Sequence, residues 1–174
     1  GVGLDISQLR PEGAAVSNSA GTTTGAWSFA DFYSYVCRMV GQNGRRGALM
    51  ITMDVRHPDI EKFITMKHDL TKVTGANVSV KISDDFMRAV EKDEKFTLTY
   101  PVGSDNPKIT KEVCALDVWD KIVESATTTA EPGILMWDNI TKNLPAHDYP
   151  AYKTICTNPC AEIPLSAYDS CRLI

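Results

Sequence analysis

The chain is 174 residues long, 43% hydrophobic and 23% charged, a balance that suits a single soluble globular domain and excludes disordered and fibrous classes. Its 18 Lys and Arg against 22 Asp and Glu give a formal net charge of -4, with no basic run to follow a phosphate backbone, so nucleic acid is not an expected partner. No apolar stretch reaches the roughly 20 residues that cross a bilayer, and Gly1-Val2-Gly3-Leu4-Asp5 lacks the pattern of a signal peptide, so no membrane partner is expected and the protein reads as cytoplasmic.

Gly1 to Ser7 reads as a short strand with glycine at points of close backbone approach, running into the turn Leu9-Arg10-Pro11-Glu12-Gly13. Residues 17–25 are nearly all small and polar; they build no core but offer N–H groups and hydroxyls to a ligand. From Trp27 to Val40 the apolar residues Trp27, Phe29, Phe32, Tyr33, Val36, Met39 and Val40 recur at helical spacing, which predicts a helix that buries this face. A glycine-rich loop with adjacent arginines, Gly41 to Gly47, precedes Ala48 to Met53, an apolar run suited to a strand buried on both faces. His57-Pro58-Asp59-Ile60 opens another helix, with proline in its first turn.

Ala76 to Ile82 alternates like a strand, and Ser83-Asp84-Asp85 caps a helix over Phe86 to Glu91. Residues 92–111 read as an exposed hairpin or excursion, Ala115 to Val123 as an amphipathic helix and Gly133 to Trp137 as a buried strand. Ala146 to Ala151 is a loop leading into Thr157 to Ser166, where two prolines exclude a regular helix. Strands alternating with helices predict a mostly parallel α/β sheet or barrel. No repeat or linker divides the sequence, so residues 1–174 are expected to share one domain with no internal boundary. Gly1 falls inside a strand and Leu173-Ile174 ends on apolar residues, so the expectation is a fragment of a larger domain.

The five cysteines form no CxxC pair, and their odd number argues against a secreted disulfide framework. Cys37 and Cys114 read as small buried apolar residues, and Cys156 as a structural thiol. Asn158-Pro159-Cys160-Ala161-Glu162 is different, because it sets a thiol between an amide and a carboxylate at two-residue spacing. In an extended segment all three would project to one side, a set suited to acting on vicinal hydroxyls. Taken alone, the five residues are equally well a structural turn. His57, His68 and His147 have no partners at metal-ligand spacing, so no metal site is expected. Asp84-Asp85 is a helix cap rather than a catalytic dyad, and Trp27, Trp119 and Trp137 are expected to anchor the core.

In context, the Asn158-to-Glu162 segment resembles the finger loop of ribonucleotide reductase large subunits, and other motifs follow that family in order. Gly1 to Gly13 resembles the strand and first specificity loop, Gly44-Arg45-Arg46-Gly47-Ala48 the second specificity loop, His57 to Phe63 the next helix, and Asn77 to Ile82 the next strand. The resemblance implies a ten-stranded α/β barrel, of which this chain would supply the first half-barrel plus the central finger loop. It implies reduction of ribonucleoside di- or triphosphates, with Cys160 as the thiyl-radical residue, Glu162 as the base for the 3′ hydroxyl and Asn158 as the amide holding the sugar hydroxyls. Cys171 matches the later member of the reducing cysteine pair, whose partner the family keeps upstream of this sequence; a fragment without that partner should be inactive.

A dNTP effector would bind the first loop, at Arg10, Ser17 and Gly21, and the second loop, with Gln42, Gly44, Arg46 and Gly47, would sense the substrate base. Arg45 beside it has a solvated residue as its plain reading. Leu9-Arg10-Pro11 and the double arginine look most like class II, which implies adenosylcobalamin as cofactor; the class I alternative has no cofactor in this chain and takes its radical from a metal-bearing partner subunit. A thioredoxin-type reductant and a homodimer complete the implied partners. The rival of another kind is a non-catalytic nucleotide-binding module derived from the same fold.

Overall fold

The computed structural model describes residues 1–40 and 44–171. In chain order it contains β1 (Val2–Asp5), α1 (Ala26–Met39), β2 (Leu49–Asp54), α2 (Ile60–Thr65), β3 (Asn77–Ile82) and α3 (Asp84–Glu91). There follow β4 (Lys95–Tyr100), β5 (Ile109–Cys114), α4 (Ala115–Thr129), β6 (Gly133–Met136), α5 (Trp137–Lys142), β7 (Thr154–Thr157) and β8 (Pro164–Ser166). The sheet order β1-β2-β3-β6 is parallel throughout, as alternating strands and helices require. Among the described residues this sheet stays open. β4 and β5 pair as the hairpin expected between 92 and 111, and β7 and β8 form a second antiparallel pair.

Side chains alternate across each strand, which gives the sheet two different faces. One is apolar: Leu49, Ile51 and Met53 of β2 and Val78, Val80 and Ile82 of β3 join Phe63, Phe86, Val118 and Ile122 in a single buried cluster under the helices. The other carries Asp5, Thr52, Asp54, Ser79 and Lys81, and all but Asp5 of these are classed as buried, with the Asp5 side chain only 13% exposed. β2 is therefore buried on both faces, as its composition predicts. β3 is too, although its sequence alternates, because its polar face is covered.

Several expectations need correction. α1 docks through its small residues Ala26, Ala30 and Ser34 at four-residue spacing, while Phe29, Phe32, Val36, Met39 and Val40 face outward. Small side chains let the helix lie close to the sheet, and Ser34 Oγ accepts the Gly75 N–H at 2.7 Å where no larger residue would fit. β6 is the sheet edge, so Leu135 is buried but Ile134 and Met136 are exposed. None of the tryptophans is fully buried; Trp119 packs against the cluster and the others lie at polar sites. Cys37 and Cys114 are half-buried rather than core residues. α2 begins at Ile60, after a turn in which Pro58 precedes the helix. The Ser83 cap is as expected, its hydroxyl accepting the Phe86 N–H. No helix among the described residues is long and apolar enough to cross a membrane.

Phe86 links α3 to the β4-β5 hairpin. It is fully buried and meets Phe96 of β4 edge to face, with ring centroids 5.1 Å apart. Phe86→Ala is expected to lower unfolding free energy by about 3–5 kcal/mol, read as a shift of the urea midpoint at unchanged slope.

Candidate active-site cleft

The Asn158-to-Glu162 segment forms the tip of the β7-β8 hairpin. Its backbone is closed by the Asn158 N–H to Ile163 O bond at 3.1 Å and the Ala161 N–H to Asn158 O bond at 3.0 Å. Ala161 takes φ +73°, so the segment is a tight turn rather than the extended run expected from the two-residue spacing. Asn158 is buried and its Oδ1 accepts the Ile163 N–H at 3.0 Å, which commits that oxygen to the turn and leaves the NH2 to donate. Cys160 and Glu162 are exposed on the tip.

A cleft of about 830 Å³ runs along this hairpin, and Asn158, Cys160, Glu162 and Cys171 all line it, together with Gly3 and Cys156. The four residues expected to share a site are thus brought together, through a turn instead of a pleat. The hairpin lies on the polar face of the sheet. Gly3 makes this possible, because a Cβ there would overlap the Thr157 carbonyl. Asn77 Nδ2 donates to Pro159 O at 2.9 Å, and Lys81 Nζ donates to Ile155 O at 3.3 Å. Asp5 Oδ2 receives Lys81 Nζ at 2.6 Å and the Thr52 hydroxyl at 2.9 Å. Cys156 Sγ lies 3.5 Å from Thr52 Oγ1. Burial pushes the Cys156 thiol up from its ordinary value, so this sulfur stays protonated.

The two loops flank α1. In the first, Val16 N–H bonds to Gly21 O at 3.0 Å and Gly21 takes φ +72°, while Arg10, Ser17 and Gly21 are exposed. Its base is held by a clip built on Asp59, the residue before α2. The Asp59 carboxylate accepts the Glu12 N–H at 3.0 Å and the Ala26 N–H at 2.8 Å, tying both ends of the loop to one side chain. His57 supports it, accepting the Asp59 N–H at Nδ1 and donating from Nε2 to Leu9 O, each near 3 Å. In the second loop, Gly44, Arg45, Arg46 and Gly47 are exposed; Gln42 lies outside the described residues. Arg45, Arg46 and Gly47 line a cleft of about 440 Å³ with Tyr33, Val36 and Cys37 of α1. Ala48 borders both this cleft and the one around Cys160.

Residues 1–173 match the family model of the ribonucleotide reductase barrel domain. The chain belongs to the ribonucleotide reductase family. It is 35% identical over 175 residues to the vitamin B12-dependent ribonucleoside-diphosphate reductase of Thermoplasma acidophilum, covering 99% of this chain and 22% of that protein. The protein of the same name from Mycobacterium tuberculosis (strain ATCC 25618 / H37Rv) is 37% identical over 176 residues, with 99% and 24% covered. The vitamin B12-dependent ribonucleotide reductase of Streptomyces avermitilis is 34% identical over 200 residues, with 99% and 20% covered. The chain therefore spans about a quarter or less of the length of these relatives.

The residues around the candidate site that sequence reasoning missed are Asp5, Thr52 and Lys81 under the hairpin, and Asp59 at the loop base. A signal was present. Gly3-Asp5-Ser7, Thr52-Asp54 and Ser79-Lys81 each repeat small or polar residues every second position in strands otherwise rich in Val, Ile and Met. That is the mark of a sheet with one polar face.

His57 gives the clip a pH dependence. The Nδ1 bond requires the neutral ring, and burial, outweighing the Nε2 bond to Leu9 O that favours the charged form, holds its pKa below the ordinary 6.5. The unfolded chain therefore takes up a proton near pH 6.5 before the folded one does, so this contribution to stability is complete above that pH and is lost as pH falls below it. His57→Gln should lower unfolding free energy at pH 7.5 by about 1–3 kcal/mol and flatten the decline between pH 7 and pH 5 in urea titrations.

Proposed function

We propose that this chain forms part of the catalytic barrel of a class II ribonucleotide reductase that, as a whole, reduces ribonucleoside di- or triphosphates to 2′-deoxyribonucleotides by a thiyl-radical mechanism. The observation that carries this reading is the common cleft of Asn158, Cys160, Glu162 and Cys171. In it, the Cys160 sulfur radical takes the 3′ hydrogen of the ribose while Glu162 takes the 3′-hydroxyl proton and the Asn158 NH2 donates to a sugar hydroxyl. The 2′ oxygen then leaves as water. Cys171 and a cysteine upstream of this sequence supply two electrons and two protons and become a disulfide, after which Cys160 returns its hydrogen to the 3′ carbon. A thioredoxin-type dithiol resets the pair.

The B12-dependent names of the relatives support the class II assignment. Cys160 stands exposed at the hairpin tip, so its sulfur can be approached by a bulky adenosylcobalamin. When bound, that cofactor supplies the initial hydrogen-atom abstraction. The polar, covered face of the parallel sheet supports a place in the first half of a ten-stranded barrel, with β7-β8 as its finger loop.

A dNTP effector is read by the first loop, at Arg10, Ser17 and Gly21, and by the second, at Gly44, Arg46 and Gly47. These loops sit at opposite ends of α1, a 14-residue helix spanning about 21 Å. Pairing α1 with a second copy through its outward Phe29, Phe32, Val36 and Met39 would cover an apolar face that is otherwise bare. That supports a homodimer.

In the intact reductase, supplied with adenosylcobalamin and a dithiol, Cys160→Ser should reduce deoxynucleotide formation on the order of a thousandfold or more and leave dTTP affinity unchanged. Turnover in that variant would overturn the radical role. Binding of dTTP without any reduction by the unaltered protein would favour the non-catalytic module instead.

A further inference from the structure

We propose that Asp5 and Lys81 are positioning residues for the Cys160 loop, an ion pair that seats the hairpin and so fixes where the radical sulfur stands; this rests on the reductase reading above. The pair spans three strands. Asp5 is opposite Thr52 in the β1-β2 register, Lys81 is opposite Asp54 in the β2-β3 register, and the lysine reaches back across β2 to the Asp5 carboxylate. Their side chains are only 13% and 8% exposed.

Each group is saturated. Lys81 Nζ faces Asp5 Oδ2, the Ile155 carbonyl and the ring of Trp137, whose centroid is 4.4 Å away. Asp5 accepts Lys81 and the Thr52 hydroxyl, together with the Ser7 N–H and hydroxyl at 3.1 Å. Because the Thr52 hydroxyl donates to Asp5, its oxygen is the acceptor for the Cys156 thiol. Two neighbouring residues of β7 are thereby tied to the pair, Ile155 directly and Cys156 through Thr52.

A buried ion pair adds little net stability over apolar residues of the same volume, because desolvation offsets the attraction. Here the pair sits under the one segment whose placement the chemistry needs. β7 leads through buried Thr157 and Asn158 to Pro159, whose carbonyl is held by Asn77, and the next residue is Cys160. Losing the Lys81 link frees the strand that carries the tip, while the groups that meet nucleotide at the two loops stay where they are.

The experiment compares Lys81→Met, Asp5→Asn and the double variant with the unaltered intact reductase, measuring kcat, substrate KM, dTTP affinity, urea stability and the rate of Cys160 alkylation by iodoacetamide, resolved by mass spectrometry. Lys81→Met is expected to lower kcat on the order of a hundredfold, the effect of misplacing a reacting group by about 1 Å, with KM and dTTP affinity nearly unchanged and the Cys160 alkylation rate altered. The double variant leaves no unpaired buried charge, so its stability should recover while kcat remains low. If kcat recovers along with stability, or if Lys81→Met retains full kcat and the unaltered alkylation rate, the pair is structural only and the proposal is overturned. If the unaltered protein reduces no nucleotide, the functional reading fails by itself, and the alkylation rates still decide whether the pair positions Cys160.

Discussion

Asp5 and Lys81 meet at 2.6 Å on a sheet face that also carries Thr52, Asp54 and Ser79, and that polar face has to be covered by groups able to hydrogen-bond with it. The β7-β8 hairpin meets this need with the backbone carbonyls of Ile155 and Pro159 and the thiol of Cys156. The opposite face follows the ordinary rule for parallel sheets, with Val, Ile and Met packed under helices. The asymmetry between the faces brings the turn with Asn158, Cys160 and Glu162 onto the sheet and opens the cleft beside it.

The same strands link the cleft to the second loop. The Val2 N–H bonds to Ala48 O at 2.9 Å, and a Cβ at Gly1 would run into the Pro159 ring. Residues 1–2 are therefore wedged between the exit of the Arg45-Arg46-Gly47 loop and the residue before Cys160. Gly47 is itself packed on Cys37 near the end of α1, where an added Cβ would come within 2.7 Å of the Cys37 carbonyl oxygen and sulfur. At the other end of α1, Asp59 holds the first loop. Packed contacts thus run from the second loop to the hairpin tip, and α1 joins that loop to the first.

Much of this was legible in the sequence. The parallel α/β alternation, the 92–111 hairpin, the Ser83 cap and the gathering of Asn158, Cys160, Glu162 and Cys171 follow from pattern and from family resemblance. The errors share a cause. Periodicity locates apolar residues but does not say which neighbour covers them: Phe29, Phe32 and Val36 mark α1 as a helix, while Ala26, Ala30 and Ser34 set its approach to the sheet. The extended reading of the motif failed because the Asn158 side chain closes the turn on Ile163, a contact no spacing rule contains. Asp5 and Lys81 lie 76 positions apart, and only the β1-β2-β3 register brings them together.

If Cys160 takes the 3′ hydrogen of a ribonucleotide, the 3′ C–H bond breaks during turnover, and competitive turnover of 3′-tritiated against unlabelled substrate by the intact reductase with adenosylcobalamin and a dithiol tests that cleavage directly. Breaking that bond in the reaction discriminates against tritium, so unreacted substrate is expected to become progressively enriched in the label. Deoxynucleotide formed with no change in the specific radioactivity of the remaining substrate would contradict it.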